Sequence, residues 1–484
     1  MKKLETILVN VLTKSIIGSV EIAIDALTFD SRSVKSSTLF VAIRGTEVDG
    51  HSYIQKAIDL GASVIVCEIL PNTLVDEVTY IEVENSNEAL AYLASNFYDN
   101  PSSKLKLVGV TGTNGKTTIA TLLYNLFMQA GFQVGLLSTV KVMIGSETHP
   151  ATHTTPDSIA INKYLAQMVE SGCQYCFMEV SSHGIAQKRT AALDFDGGIF
   201  TNLSHDHLDY HKTFAEYRDV KKSFFDQLDK KAFAVTNADD KNGEFMLQNC
   251  KAKKWSYGLK NVANIHGQVL ESQISGMLMR IQNNEIWVQL IGLFNASNLL
   301  AVYTASINLG LSEEEVLLQL STLKSVSGRF QYFVSDDKIT AIVDYAHTPD
   351  ALENVLKTIE EIRTRNEQLI TVVGCGGNRD KTKRPEMGQI ASELSNQVIF
   401  TSDNPRNEDP MLILSEIEAG VEAHNVRKVL TIEDRTQAIK TACKLAKAGD
   451  IILIAGKGHE DYQEIKGVKH HFNDYELVQE FLNK

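Results

Sequence analysis

The stretch Leu105-Lys-Leu-Val-Gly-Val-Thr-Gly-Thr-Asn-Gly-Lys-Thr-Thr118 decides the fold of this chain. An apolar, strand-like run over 105–110 enters a loop of two glycines, a lysine and two hydroxyls, and a helix-like run over 119–130 leaves it. Strand, glycine turn and helix in that order make a cradle for phosphate. Gly112 and Gly115 let the backbone turn tightly and aim N–H groups at phosphate oxygens, and the helix N-terminus adds partial positive charge. Thr113, Asn114 and Thr118 complete the loop, Lys116 supplies a full charge, and Thr117 stands where a hydroxyl ligates magnesium. Val110 occupies the place of the first glycine in the commoner phosphate-loop spacing, so this is a variant loop.

Around the loop, the composition is that of a globular protein. At 484 residues the chain is too long for one core, and roughly 150 residues per domain gives about three domains. It is 43% hydrophobic and 22% charged, and no apolar run approaches the roughly 20 residues needed to span a bilayer. Glu5, Asn10, Thr13 and Lys14 interrupt any leader-like apolar segment, so a cytoplasmic location is expected. A net charge of −13 argues against a nucleic-acid partner, and a monomer is expected. The six cysteines are scattered, which suits a reducing compartment, and the pair Cys173 and Cys176 reads as core rather than as a redox or zinc site.

The fold class expected is α/β in three domains. Residues 1–102 mix short strands (38–43, 63–67, 79–83) with helices (54–60, 88–98), and Asp99-Asn-Pro-Ser-Ser-Lys104 reads as a linker. Residues 103–331 alternate strands (105–110, 176–180, 198–200, 232–236) with helices, the pattern of a parallel sheet, with an antiparallel patch over 264–290 at its edge. Residues 332–484 restart the alternation with strands at 339–344, 369–374, 397–402, 428–432 and 450–456, a Rossmann-like domain without a dinucleotide glycine motif.

Chemistry-bearing residues gather just past strand ends. Phe177-Met-Glu-Val-Ser-Ser-His183 offers a carboxylate at Glu179, two hydroxyls and an imidazole, and Asn202-Leu-Ser-His-Asp-His-Leu-Asp-Tyr-His211 packs three histidines and two aspartates together. Oxygen ligands favour magnesium whereas histidines favour zinc or manganese, so spacing leaves the metal open.

These motifs, with Phe294-Asn-Ala-Ser-Asn298, Gly328-Arg329 and Asp344-Tyr-Ala-His-Thr-Pro349, resemble the Mur ligase family in type and order. The resemblance implies a small α/β UDP-binding domain, a central parallel-sheet phosphate-loop ATPase domain and the C-terminal Rossmann-like domain. It implies an ATP-dependent ligase using two magnesium ions. Lys116 would bind the γ-phosphate and Thr117 one ion, while Glu179 and His207 would hold the second. Asn295, Asn298, Arg329, Asp344 and His347 would line the nucleotide. It also implies that a lysine after the Asp-His motif is carbamylated. Lys221 fits that place, since added CO₂ turns an ammonium into an anionic oxygen ligand.

The N-terminal Thr28-Phe-Asp-Ser-Arg-Ser33 resembles the uridine-binding domain of the ligase that adds the third residue of the stem peptide, with Ser31 at uracil. By the same resemblance Thr154, Thr155, Ser181, Gln187 and Arg189 would hold UDP-N-acetylmuramoyl-L-alanyl-D-glutamate. Arg379, Asp403, Asn404, Pro405, Arg406, Gly456 and Glu460 would hold meso-diaminopimelate. Arg406 can pair with the distal carboxylate, which lysine lacks, and a buried arginine left unpaired is costly. Asn378 stands where the family commonly has aspartate. The rivals are the lysine-adding ligase of the same step, a folate polyglutamating ligase and a non-catalytic ATP-binding regulator.

Overall fold

The computed structural model describes residues 1–45, 48–204, 210–364 and 366–483. Its strands form three main sheets that follow one another along the chain. The first has five strands in the order Thr13–Ile17, Thr79–Val83, Ala62–Cys67, Thr38–Val41, Ala26–Thr28, all parallel except Thr13–Ile17.

The central sheet has eleven strands. Lys106–Thr111 lies inside it, hydrogen-bonded in parallel to Tyr175–Glu179 on one side and Gly197–Phe200 on the other. A strand paired on both sides must be apolar on both faces, which is why 107–110 has no polar residue. Helix Lys116–Gln129 covers one face, burying Ile119, Leu122, Leu123, Leu126 and Phe127 against Leu299, Leu300 and Tyr303 of helix Leu293–Asn308. Each such side chain contributes roughly 1.5–3 kcal/mol. Helices Ser158–Glu170 and Phe214–Asp226 close the other face, where Cys173 and Cys176 sit in the core; all six cysteines are free and buried. The antiparallel strands Ile265–Gln273, Gly276–Ile281 and Asn284–Val288 extend one edge, as the alternation over 264–290 predicts.

The third sheet has six strands in the order Gln331–Val334, Thr340–Asp344, Ile451–Ala455, Leu369–Val373, Gln397–Phe400, Val429–Thr431, parallel but for the first. A separate hairpin, Tyr462–Ile465 with Val468–His471, stands beside it. In this domain a fully buried ion pair joins Arg435 to Asp474, with Nη2 to Oδ2 at 2.7 Å. Among the described residues no helix is long and apolar enough to cross a membrane.

Candidate active site

Parallel strands deliver their C-terminal ends to one edge, and the phosphate loop is built there. Gly112 and Gly115 have φ of 148° and 88°, a region other residues rarely enter. A Cβ on Gly112 would overlap the Thr201 hydroxyl, and one on Gly115 would lie 2.7 Å from Asn298 Oδ1. Thr113 Oγ1 accepts from Ser204 N at 3.0 Å, and Asn114 N donates to Asn202 Oδ1 at 2.9 Å. Lys116 Nζ folds over the loop, donating to the carbonyls of Gly112 (3.0 Å) and Thr113 (2.7 Å). Lysine bonded in this way to its own loop is within reach of whatever the loop cradles.

Glu179, 1% exposed, is the carboxylate of the site. Thr117 Oγ1 donates to its Oε2 at 2.9 Å, Thr139 N to its Oε1 at 2.7 Å, and Thr139 Oγ1 to Oε2 at 3.2 Å. The hydroxyl of Thr117 and the carboxylate of Glu179 thus meet beside the phosphate loop, an oxygen pair suited to a hard cation. Among the described residues no cluster of three or more His, Cys, Asp or Glu side chains forms a metal site. His207, expected as a ligand, lies outside the described residues. Lys221, 1% exposed, stands under the loop and donates from Nζ to Gly112 O at 2.8 Å, with the Tyr217 ring 4.7 Å away.

On the muramoyl side the residues are brought together, yet several have their polar groups occupied. Thr155 Oγ1 donates to Glu179 O at 2.8 Å and accepts from Ser181 N at 2.9 Å, which makes Thr155 a brace between segments. Ser181 Oγ caps Gly184 N. Arg189 Nη1 donates to Thr155 O at 2.5 Å and its Nη2 to Gln187 Oε1 at 2.6 Å; burial pushes its pKa down. Thr154 faces the large cleft described below. Ser31 is buried in the N-terminal unit, in the turn Ser31–Ser33 capped by Asp30.

Two cavities lie where the central and third domains meet. One of 260 Å³ is lined by Asn114, Gly115 and Thr118 of the loop, Asn298, and Arg329, Asp344 and His347. Asn298 Nδ2 donates to Asn295 Oδ1 at 3.2 Å, and Asn295, 3% exposed, donates from Nδ2 to Ile291 O at 2.9 Å, so Asn295 braces Asn298 and does not itself line the cavity. Asp344 accepts from Phe330 N (2.6 Å) and Ala346 N (2.8 Å), and burial raises its pKa while Arg329 opposes the rise. Arg329 spans the junction, with Nη2 to Thr117 Oγ1 at 3.2 Å and its guanidinium 4.5 Å over the Tyr345 ring.

The other cavity, 560 Å³, is lined by Thr154 and His183 on the central side and by Arg379, Asp403, Asn404, Arg406, Gly456 and Glu460 on the other; Pro405 supplies the turn without lining it. Arg406 has φ 51°, sends Nη1 to Gly377 O at 2.8 Å and keeps Nε 3.4 Å from Glu464 Oε2. That ion pair corrects the expectation that Arg406 is unpaired without a substrate carboxylate: Glu464 is already a counter-ion, so the penalty against lysine is smaller than for a bare buried cation. Asn378 has φ 52°, and asparagine adopts this left-handed backbone readily, which accounts for its presence there. Sequence reasoning did not single out Thr139, Lys383 and Glu464, and it gave no role of their own to Tyr345 and Lys457, which lie within motifs it named. Of these, Lys457 had a signal, a lysine between two glycines directly after an apolar strand.

A phosphate loop, a buried carboxylate beside it and a second cavity across a domain junction are the parts that an ATP-dependent ligase needs. The chain belongs to the Mur ligase family: the family's middle domain matches residues 110–306, its glutamate ligase domain 328–458 and its catalytic domain 23–98. The chain is 56% identical over 480 residues to the UDP-N-acetylmuramoyl-L-alanyl-D-glutamate–2,6-diaminopimelate ligase of Phocaeicola vulgatus, covering 99% of both chains. A solved structure of a ligase with that same description is 32% identical, with a TM-score of 0.68 over 95% of this chain and 94% of the other. The MurF ligase of Thermotoga maritima in complex with ADP shares the fold, at 19% identity and a TM-score of 0.62 over 94% of this chain and 96% of the other.

Proposed function

We propose that this protein joins meso-2,6-diaminopimelate to UDP-N-acetylmuramoyl-L-alanyl-D-glutamate, spending ATP, in cytoplasmic peptidoglycan precursor synthesis. One observation carries the reading: a 560 Å³ cavity between the domains is lined by two arginines, Arg379 and Arg406, together with the carboxylates Asp403 and Glu460. Diaminopimelate is a double zwitterion, and mixed charges of both signs match it better than they match lysine.

In this reading the D-glutamate γ-carboxylate attacks the γ-phosphorus of ATP, the β–γ P–O bond breaks to release ADP and leave an acyl phosphate, and the diaminopimelate amine then forms the amide bond as inorganic phosphate leaves and the amine gives up a proton. Lys116 turns from its own loop carbonyls to the γ-phosphate. Asn298, Arg329, Asp344 and His347 enclose the nucleotide. Two magnesium ions would fit the chemistry of the donors: Thr117 and Glu179 offer the hydroxyl and carboxylate oxygens that a hard cation takes, and His207 and Lys221, if carbamylated, would complete the set. When bound, the ions neutralise charge that develops on the transferring phosphoryl group. Ser31, Thr154, Ser181, Gln187 and Arg189 hold the muramoyl substrate, with Thr155 bracing them, and the protein works as a monomer.

The test is phosphate release from purified protein with ATP, magnesium and the muramoyl dipeptide, comparing diaminopimelate, L-lysine and no amino acid. Release that requires diaminopimelate is expected. Equal release with lysine overturns the specificity, and no release with either overturns the activity.

A further inference from the structure

Lys457 is the most unusual side chain near the amino-acid cavity. A lysine is almost never fully buried without a partner, and this one is 0% exposed. The local sequence explains how it gets inside. Gly456 and Gly458 have φ of 111° and 52°. A Cβ on Gly456 would lie 2.7 Å from Asp403 Oδ2, and one on Gly458 would lie 2.6 Å from Gly328 O. Only a glycine on each side lets the chain press this closely, and that carries the lysine stem inward from the end of strand Ile451–Ala455.

Its ammonium lands on two acceptors, Glu460 Oε2 at 2.9 Å and Asn404 Oδ1 at 3.1 Å, with the Tyr462 ring 5.5 Å away. Asn404 also accepts at Oδ1 from Glu464 N (2.9 Å) and donates from Nδ2 to Glu460 Oε2 (2.7 Å). Two donors therefore converge on one oxygen of Glu460, Oε2, and both fix the rotation of the carboxyl plane. The carboxamide of Asn404 has its oxygen doubly used and its nitrogen engaged. Glu460 and Asn404 both line the cavity, so what remains for a ligand is chiefly the second oxygen of Glu460.

We propose that Lys457 is a positioning residue for amino-acid recognition: its buried ammonium takes up one oxygen of Glu460 and locks Asn404, so that the other carboxylate oxygen is presented to an ammonium group of the incoming amino acid. This rests on the diaminopimelate-ligase reading above. It assigns Asn404 an indirect role, acting on the substrate through Glu460.

The experiment is steady-state phosphate release by wild type, Lys457→Met and Lys457→Arg, each with KM measured separately for diaminopimelate, ATP and the muramoyl dipeptide. Lys457→Met is expected to raise the KM for diaminopimelate at least tenfold, by more than it lowers kcat, with the other two KM values within about threefold. Lys457→Arg is expected to recover part of the loss because it restores a cationic donor. In a double-mutant cycle with Glu460→Gln, the two losses are expected to be strongly non-additive, since both remove the same contact. An unchanged KM for diaminopimelate, or equal rises in all three KM values, refutes the role. Should Lys457→Met not fold, Lys457→Gln, which keeps a donor but no charge, carries the same comparison. The wild-type arm separates the two claims: no diaminopimelate-dependent release there refutes the ligase reading and the proposal with it, whereas normal wild-type turnover with unaltered variants refutes only the role of Lys457.

Discussion

Replacing Arg406 with alanine tests the amino-acid site most directly. The backbone around it should survive: Arg406 N donates to Glu464 O at 3.0 Å and Lys466 N to Arg406 O at 2.7 Å, bonds that alanine keeps. The φ of 51° is no worse for alanine than for arginine. What goes is the guanidinium. Its Nε edge faces Glu464 and one Nη1 hydrogen goes to Gly377 O, which leaves the rest of the five-donor fork for a carboxylate in the cavity. Two charge-assisted hydrogen bonds are worth roughly 3–5 kcal/mol together. The Arg406 side chain is 20% exposed, and water returns part of that on deletion, so about 3 kcal/mol is expected. This corresponds to roughly 100-fold in kcat/KM for diaminopimelate. Lysine has no distal carboxylate to lose, so whatever turnover it supports should change by about threefold or less. The assay is phosphate release at varied amino-acid concentration, with circular dichroism to establish that the variant is folded. A kcat/KM for diaminopimelate within about threefold of wild type would show that Arg406 does not bind the distal carboxylate.

Three further outcomes follow from the geometry. Glu179→Gln keeps the shape and the acceptor for Thr139 N but removes the charge, so activity should fall at least about 100-fold and the magnesium requirement should move to higher concentration; an unaltered magnesium titration contradicts its role as a ligand. Lys221→Arg cannot be carbamylated and should lose turnover, while ¹³C NMR of wild type under labelled CO₂ should show a carbamate signal that the variant lacks; a wild-type spectrum without it would dismiss the modification. The Glu408 carboxyl is held down at about 2 from 4.5, first by its hydrogen bonds to Arg384. A depressed carboxyl contributes stability that is complete above 4.5 and disappears as pH falls towards about 2. Glu408→Gln should therefore cost roughly 1–2 kcal/mol in urea unfolding at neutral pH, after allowance for solvent screening, with the gap to wild type closing as pH falls below the 4.5 reference. A pH-independent gap would refute the ionic origin.

The strands were legible where burial on both faces leaves an unbroken apolar run, as in Lys106–Thr111 and Ile451–Ala455. The hairpin Tyr462–Ile465 and Val468–His471 was not. It is short and exposed, and its turn uses Lys466 and Gly467 at φ 49° and 79°, a conformation usually announced by Asn-Gly or Asp-Gly. At the candidate site, positions just past strand ends and the family resemblance named residues that the fold brings to the loop and the two cavities. They could not say whether a polar group is still available. Thr155, Asn295 and Asn404 were expected to contact substrates, yet each has hydrogen bonds committed to neighbouring protein atoms, a property of three-dimensional partners that no spacing encodes.

The two cavities share a wall, because Tyr345 and His347 line both. The His347 ring is bonded through Nδ1 to Tyr345 O at 2.8 Å, and Lys383 Nζ holds the His347 carbonyl at 2.7 Å. On the other side, Arg329 stacks over Tyr345 and reaches Thr117, while Asn114 Nδ2 reaches Asp350 Oδ2 at 3.1 Å. The phosphate loop thus touches the third domain directly at Asp350 and indirectly through Arg329, and both routes lead within a few residues to the wall that the two cavities share. Any free energy by which a nucleotide favours one arrangement of Tyr345 and His347 must reappear, by linkage, as an equal change in affinity for the amino acid.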